Sequence, residues 1–377
     1  MVNVWLTKVY RWSNNFANLG SLNATSPGKY ILRLSRDPRN YGFQTLPKTS
    51  GYLGVINFPT IYGLVLPRIL LKNNSTDLDI VHGIQAQIQV EKVPRLDGTV
   101  APPLTYELLG SGALEPLASV APGALDSKSI QALLTIVARV SPYNPPADPS
   151  EIVPVTSVLR LAGLSRGQYS PPRNVNYAES NKIASAALLS SDKQIQLFNN
   201  EWFDFPPQYS GNFHNGYVIR SIIAYTGYLQ LVQDEALYPE WIGSGINGLS
   251  LAGNESYTLT FTSGKPPVNG FWSLTAYNSS SYLIPNFLGR YSLGDRSSLT
   301  YPDGEPVYGN STRNDPFTIL VQPADVTPPA NWTNNWLPAP AGGGNFSVNC
   351  KFNLFVVVDF AICQMLTLCC SAFLWPD

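Results

Sequence analysis

The densest chemistry in this chain sits at Arg290, Tyr291, Asp295 and Arg296. Two guanidiniums beside one carboxylate, in a turn that contains Gly294, can form a bidentate pair and leave the second Arg for a substrate carboxylate or phosphate. The plainer reading is a salt bridge that locks the loop. Trp272, Tyr277 and Trp336 could wall such a site, although aromatics in a sandwich more often fill the core. Carboxylates suited to acid–base work are Glu107, Glu201, Asp204 and Glu240. Glu201-Trp202-Phe203-Asp204 is the most suggestive, because bulky apolar neighbours shift a carboxyl's pKa; the alternative is a loop that docks its aromatics. Paired carboxylates can also cleave glycosides, with their separation deciding the outcome. There are two histidines, His82 and His214. Neither belongs to a two-histidine helical motif, so no metal is expected. His82 reads as structural; His214, between Asn212 and Asn215, is the functional candidate.

Two short motifs carry less than their patterns suggest. Gly163-Leu164-Ser165-Arg166-Gly167 has nucleophile-elbow spacing, but an elbow needs a strand before the Ser and a helix after it. Here a helix precedes and a Pro-rich loop follows, which fits a helix C-cap and turn. Gly243-Ser244-Gly245-Ile246-Asn247-Gly248 has dinucleotide spacing, but a strand follows it where a helix is required.

The elements that must position these residues are read from periodicity. Tyr30 to Leu34 and much of 51–71 are expected as strands. Asn74-Ser75-Thr76-Asp77 caps a helix to about Val90. Residues 92–124 read as loop, with one strand at Leu104–Leu109. Helices are expected over Ser127–Val140, Glu151–Leu161, Asn181–Phe198 and Phe213–Val232. The last third reads as strands: Tyr257–Thr262, Trp272–Ala276 and Phe346–Leu354 alternate, and Phe317–Gln322 is a near-continuous apolar run of strand length.

Composition narrows the classes. Of 377 residues, 44% are hydrophobic and only 13% charged, with a net charge of -1. A core can be built. The balanced charge argues against nucleic acid as a partner. All four cysteines lie at or after Cys350, so no disulfide framework holds the body. Eight Asn-x-Ser/Thr sequons occur, at Asn23, Asn73, Asn74, Asn254, Asn278, Asn310, Asn331 and Asn345. Chance gives roughly four, so a secreted glycoprotein is expected. The start MVNVWLTKVYRWSNN has no leader pattern. Either the protein is not exported, or its true N-terminus lies upstream.

Gly270-Phe271-Trp272-Ser273-Leu274-Thr275-Ala276-Tyr277, Leu283-Ile284-Pro285-Asn286, Arg290-Tyr291-Ser292-Leu293-Gly294-Asp295-Arg296 and Asn335-Trp336-Leu337-Pro338-Ala339-Pro340 together closely resemble domain of unknown function 1214. Asn14-Asn15-Phe16-Ala17-Asn18-Leu19-Gly20, Arg68-Ile69-Leu70 and Ile84-Gln85 resemble its N-terminal companion, domain of unknown function 1254. The resemblance implies two β-rich domains with helices between them, often in exported bacterial or fungal proteins, and no agreed reaction. An Asn/Asp/Thr/Tyr strand motif of the family has no counterpart here. An apolar stretch after about Asn353 replaces its short polar C-terminus.

The expectation is therefore a β-rich α+β fold, with two sandwich- or jelly-roll-like domains and a helical middle. The boundaries are 1–125, 126–240 and 241–353, with an apolar tail over 354–377 that contributes nothing to the fold. The expected function is an exported protein that binds a small molecule or glycan in a cleft between domains, with no cofactor. A cofactor-free hydrolase, lyase or isomerase, a structural surface protein and a cytoplasmic location are the alternatives. A membrane partner is expected only if the tail is genuine.

Overall fold

The computed structural model describes residues 4–8, 10–11, 14–20, 23–35, 37, 39–69, 71, 76–93, 105, 126–146, 148–190, 195–198, 201–226, 230–241, 249–309, 312–353 and 366–371. The fold is α+β and β-rich. The chain divides into two compact units, and the division cuts across the expected boundaries. Unit 1 comprises 1–70, 83–191 and 212–229; unit 2 comprises 71–82, 192–211 and 230–377. The helices expected as a separate connector at 126–240 fall within unit 1.

Unit 1 opens with strands β1 (Val4–Lys8), β2 (Tyr10–Arg11), β3 (Asn14–Asn15), β4 (Asn18–Gly20), β5 (Tyr30–Leu34), β6 (Gly42–Thr45), β7 (Gly54–Phe58) and β8 (Val65–Ile69). They form two three-stranded sheets, β4-β1-β8 and β5-β7-β6, and the short pair β2-β3. Ala17, Leu19 and Ile56 make its small core, with Phe16, Tyr30, Phe43 and Phe58 packed against them. Helix α1 (Leu78–Gln85) spans the division between units and stops short of the expected Val90. Helix α2 (Ser127–Val140) has the expected limits, because the Asp126 carboxylate accepts the Ser129 N–H and fixes its start. Helices α3 (Ile152–Leu161), α4 (Tyr177–Leu189) and α5 (Tyr217–Thr226) follow, α4 starting early on the Asn176 cap. After α3 the chain folds into a hairpin, β9 (Leu164–Ser165) and β10 (Gln168–Tyr169). Its tip, Arg166-Gly167, has φ of 51° and 79°, the left-handed pair that a two-residue hairpin turn demands. Ser165 is thus a hairpin residue and not a nucleophile at an elbow. The Gly243–Gly248 motif and the Leu104–Leu109 strand lie outside the described residues.

Unit 2 is a two-sheet sandwich. Its first sheet is built from β11 (Gln196–Leu197), β12 (Trp202–Asp204), β13 (Ala236–Leu237), β14 (Glu240–Trp241), β15 (Leu249–Ala252), β17 (Trp272–Asn278), β18 (Leu293–Gly294) and β21 (Gly343–Asn353). The second is β20-β19-β16-β22, with β16 at Ser256–Phe261, β19 at Phe317–Pro323, β20 at Trp336–Ala339 and β22 at Leu366–Ser371. The core lies between their inner faces. Leu274, Phe346, Val348, Cys350 and Phe352 come from the first sheet, and Leu259, Phe261, Phe317, Ile319 and Val321 from the second. Phe261 and Phe317 stack face to face with centroids 4.5 Å apart. The long strand β21 pairs with β17 along one side over seven residues. Three short strands, β13, β14 and β15, share its other side in succession.

The tail departs from expectation. Leu366–Ser371 pairs antiparallel with all six residues of β16, so part of the segment expected to stay outside the fold supplies an edge strand. At the far edge of the same sheet, β20 runs parallel to β19 and carries Pro338, which has no N–H to offer. Among the described residues no helix is long and apolar enough to cross a membrane. A chain ending at Asn353 would leave the outer edge of β16 unpaired, a template for association with other chains. We expect it to melt earlier than the full chain and to self-associate more readily. An equal or higher thermal midpoint, with monomeric behaviour in sedimentation, would show that the β16–β22 pairing contributes nothing.

Candidate functional site

The two faces of the first sheet in unit 2 have opposite characters. On β21, Phe346, Val348, Cys350 and Phe352 point into the core, whereas Ser347, Asn349 and Lys351 line the other face and are half-buried. Residues directly paired across strands share a face. Glu240 pairs with Asn349, and Asn349 with Thr275, so β14, β21 and β17 present a row of Glu240, Asn349 and Thr275. The Ser347–Tyr277 pair flanks this row on one side and the Lys351–Ser273 pair on the other. Phe203 extends it onto β12. The Lys351 ammonium lies 5.5 Å from the centroids of both the Tyr238 and Phe271 rings, where ring quadrupoles favour a cation.

Glu240 is the acidic member of this strip. Burial pushes its carboxyl from an ordinary 4.5 up to about 7, and the nearby Asp204 carboxylate pushes the same way. A hydrogen bond with the Ser347 side chain opposes the shift without cancelling it. The Tyr277 phenol, raised by its own burial and by Glu240, stays protonated and able to donate. Asp204 lies at the end of β12 and is buried. Burial raises it to about 6, against the pull of two backbone donors. Its Oδ1 accepts the Phe205 N–H at 2.7 Å and its Oδ2 the Tyr238 N–H at 3.0 Å. Two carboxyls in different surroundings, both drawn toward neutrality, are what acid–base chemistry near pH 7 requires.

The Arg290 constellation resolves differently from the sequence expectation. The Arg290 guanidinium does not meet Asp295. Its Nη1 donates to the carbonyls of Thr333 and Trp336. Asp295 instead accepts the Trp272 N–H at 3.1 Å and pairs with Arg296, whose Nε lies 3.0 Å from Oδ2. That approach is an ion pair without an aligned N–H. Burial raises Asp295, against the opposing charge of Arg296. Arg296 also donates to the Gly270 carbonyl. Both guanidiniums therefore hold backbone, and the expected arrangement of one paired and one free Arg around Asp295 does not form. Gly294 allows this loop to lie against β17, because a Cβ there would run into the Trp272 carbonyl.

The aromatic candidates separate as well. Trp272 and Trp336 are fully buried and belong to the packing. Trp272 donates from Nε1 to the Tyr308 hydroxyl at 2.5 Å. Tyr277 joins the Glu240 strip, and Tyr291 is exposed. Glu201 is exposed with φ of 64°, a turn residue rather than a buried acid. His214 lies in unit 1, exposed, with φ of 43° and its carbonyl accepting from Arg220. His82 is exposed on α1. Glu107 lies outside the described residues. Among the described residues no group of three or more His, Cys, Asp or Glu is arranged to hold a metal.

Residues 235–353 match the model for a protein of unknown function, DUF1214, and residues 4–92 match that for DUF1254. The chain carries this DUF1254–DUF1214 pair. The DUF1214 segment contains Glu240, Tyr277, Ser347, Asn349 and Lys351; Asp204 lies before it. No curated protein matches the chain. Among solved structures it is similar to the crystal structure of the VPA0106 protein from Vibrio parahaemolyticus. The identity is 15%, the match covers 98% of this chain and 82% of that one, and the TM-score is 0.53. That likeness supports the fold.

Two residues that sequence reasoning did not single out organise the DUF1214 loops. Asn286 donates from Nδ2 to the carbonyls of Ile284 and Arg290 and accepts at Oδ1 from the N–H groups of Leu288 and Arg290. The buried Asn335 accepts at Oδ1 from Thr300 and donates from Nδ2 to the carbonyls of Thr300 and Thr318. Both stand in the motif segments, and the sequence signal was an amide amid apolar residues.

The Glu240 shift has a stability consequence of definite sign. A carboxyl raised in the folded state holds its proton more tightly than in the unfolded chain. The resulting stability is fully present below about pH 4.5 and is lost as pH rises through about 7. Asp204 adds a loss of the same sign up to about pH 6. Glu240→Gln removes the charge but keeps the shape. We expect it to be neutral at pH 4.5 and stabilising by about 1–3 kcal/mol at pH 8, measured by urea unfolding at both values. Equal effects at the two pH values would show that Glu240 is not held toward neutrality.

Proposed function

We propose that unit 2 is a cofactor-free acid–base enzyme, a hydrolase, lyase or isomerase, that takes a small polar molecule on the strip around Glu240. The reading rests on one observation: Glu240, near Asp204 and beside Tyr277, sits on a half-buried polar face with a carboxyl raised to about 7. A carboxyl there can take or give a proton at neutral pH. Thr275, Asn349 and Ser347 supply neutral hydrogen-bonding groups to orient a ligand, and Tyr277 supplies a protonated hydroxyl. The full chain should be incubated with panels of esters, glycosides and enolisable carbonyl compounds, with turnover read by mass spectrometry and by deuterium uptake from solvent. We expect one class to react, with a pH–rate limb near 7. Glu240→Gln should cost about 10²–10⁴-fold in rate with the fold intact, and Tyr277→Phe should cost less. No turnover in any class, or full activity in Glu240→Gln, would sink the reading.

Export as a glycoprotein remains our reading of the sequons, supported by their exposure. Asn23, Asn254, Asn331 and Asn345 are exposed. Asn278 is half-buried, with its side chain pinned to its own loop where Oδ1 accepts the N–H groups of Ser280 and Tyr282; its burial, rather than those bonds, stands in the way of a glycan on Nδ2. Asn73, Asn74 and Asn310 lie outside the described residues. Secreted from a eukaryotic host behind a supplied leader, the protein should carry glycans at the four exposed sites and not at Asn278, as mapped by glycopeptide mass spectrometry. A secreted product whose mass does not change on glycosidase treatment would refute this.

A further inference from the structure

The loop between β17 and β18 exposes more apolar surface than its fold needs. Between residues 282 and 291 the side chains of Tyr282 (64% exposed), Leu283, Phe287 (63%), Leu288 and Tyr291 all face solvent. Isolated exposed apolar residues are ordinary, but five within ten residues form a patch.

The patch is held rigid from beneath. Asn286 closes the loop with four hydrogen bonds, and Arg290 ties it to the carbonyls of Thr333 and Trp336. The Phe287 ring rests on the buried Trp336 indole, with centroids 5.3 Å apart and planes 31° apart. Its inner side is therefore fixed and its outer side open. Tyr282 is placed by the side-chain Oδ1 of Asn278, which accepts its N–H, and by the bridge of Leu283 to Tyr277. A surface ordered before binding loses little entropy on binding.

The surrounding chemistry carries a single charge. Between Asn278 and Ser292 the only ionisable groups besides the tyrosine phenols belong to Arg290, whose Nη1 is already given to backbone. The neighbours Ser279, Ser280, Ser281 and Ser292 are exposed hydroxyls. Fixed aromatic faces beside neutral hydroxyls complement the two sides of a sugar ring, whose C–H face stacks on an arene while its equatorial hydroxyls hydrogen-bond. We propose that the 279–292 loop is a binding surface for a neutral polysaccharide. This does not depend on the Glu240 reading. A loop of this size falls short of the roughly 20–30 residues per side of a stable protein interface. It also lacks the exposed Lys/Arg cluster that an anionic bilayer attracts.

The test is affinity electrophoresis of the full chain in gels containing hydroxyethylcellulose, xyloglucan, galactomannan or laminarin, with polygalacturonate as the charged control. We expect retardation by at least one neutral polymer and none by polygalacturonate. Tyr282→Ser with Phe287→Ser should weaken it at least tenfold at an unchanged thermal midpoint, and Phe287→Trp should preserve it. Should the double variant prove unstable, Tyr282→Ser alone should weaken it at least threefold. Absence of retardation by every neutral polymer would overturn the proposal. So would retardation that survives both substitutions, or a patch whose removal changes only self-association in sedimentation or binding to phosphatidylcholine vesicles.

Discussion

Strict alternation along Phe346–Phe352 is the constraint on which unit 2 depends. A strand with every second side chain apolar over that stretch cannot shift register by one without turning Phe346, Val348, Cys350 and Phe352 out of the core. The register with Trp272–Asn278 follows, and with it the sandwich. The polar strip that carries Glu240 is the other half of the same alternation. The dry face and the polar face are thus set by one periodicity.

Burial serves two purposes in this unit. Around Glu240 and Asp204 it holds carboxyls toward their neutral forms, at a cost in stability at neutral pH. Around Asn286, Asn335 and Asp295 it shelters polar groups that are engaged with backbone or neighbouring charge. Irregular loops must satisfy their own backbone hydrogen bonds, and these side chains do so. Of the motif segments that mark DUF1214, 283–286 and 290–296 are chiefly loop, whereas 270–277 and 335–340 supply β17 and β20; the first of these carries Thr275 and Tyr277 into the strip, while Glu240 lies outside all four.

The sequence was most readable where structure is local. Alternation located β16, β17 and β21, a continuous apolar run located β19, and helical spacing with the Pro142 stop located α2 to the residue. The family pair was legible from its short motifs. Two things were not. The first was the pairing of Glu240 with Asn349, which brings together residues more than a hundred positions apart, so Glu240 stood as one acid among four. The second was the fate of Arg290, whose nearest charge in sequence is Asp295 but whose partners are carbonyls beyond residue 330. Charge proximity along a chain says little when a buried carbonyl needs a donor. The tail was misjudged for a related reason: its loss of period two was weighed alone, without the open edge of β16 that takes it.

The Pro338 at one end of the second sheet gives that sheet a direction. On the β20 side, a newcomer strand would meet a missing donor; on the β16 side, the outermost ladder is made by a strand from the end of the chain. Lateral growth is therefore polar, closed on one flank and conditional on the other. A fusion partner or purification tag placed directly after Ser371, in place of residues 372–377, would be attached next to the flank from which the sheet can still extend.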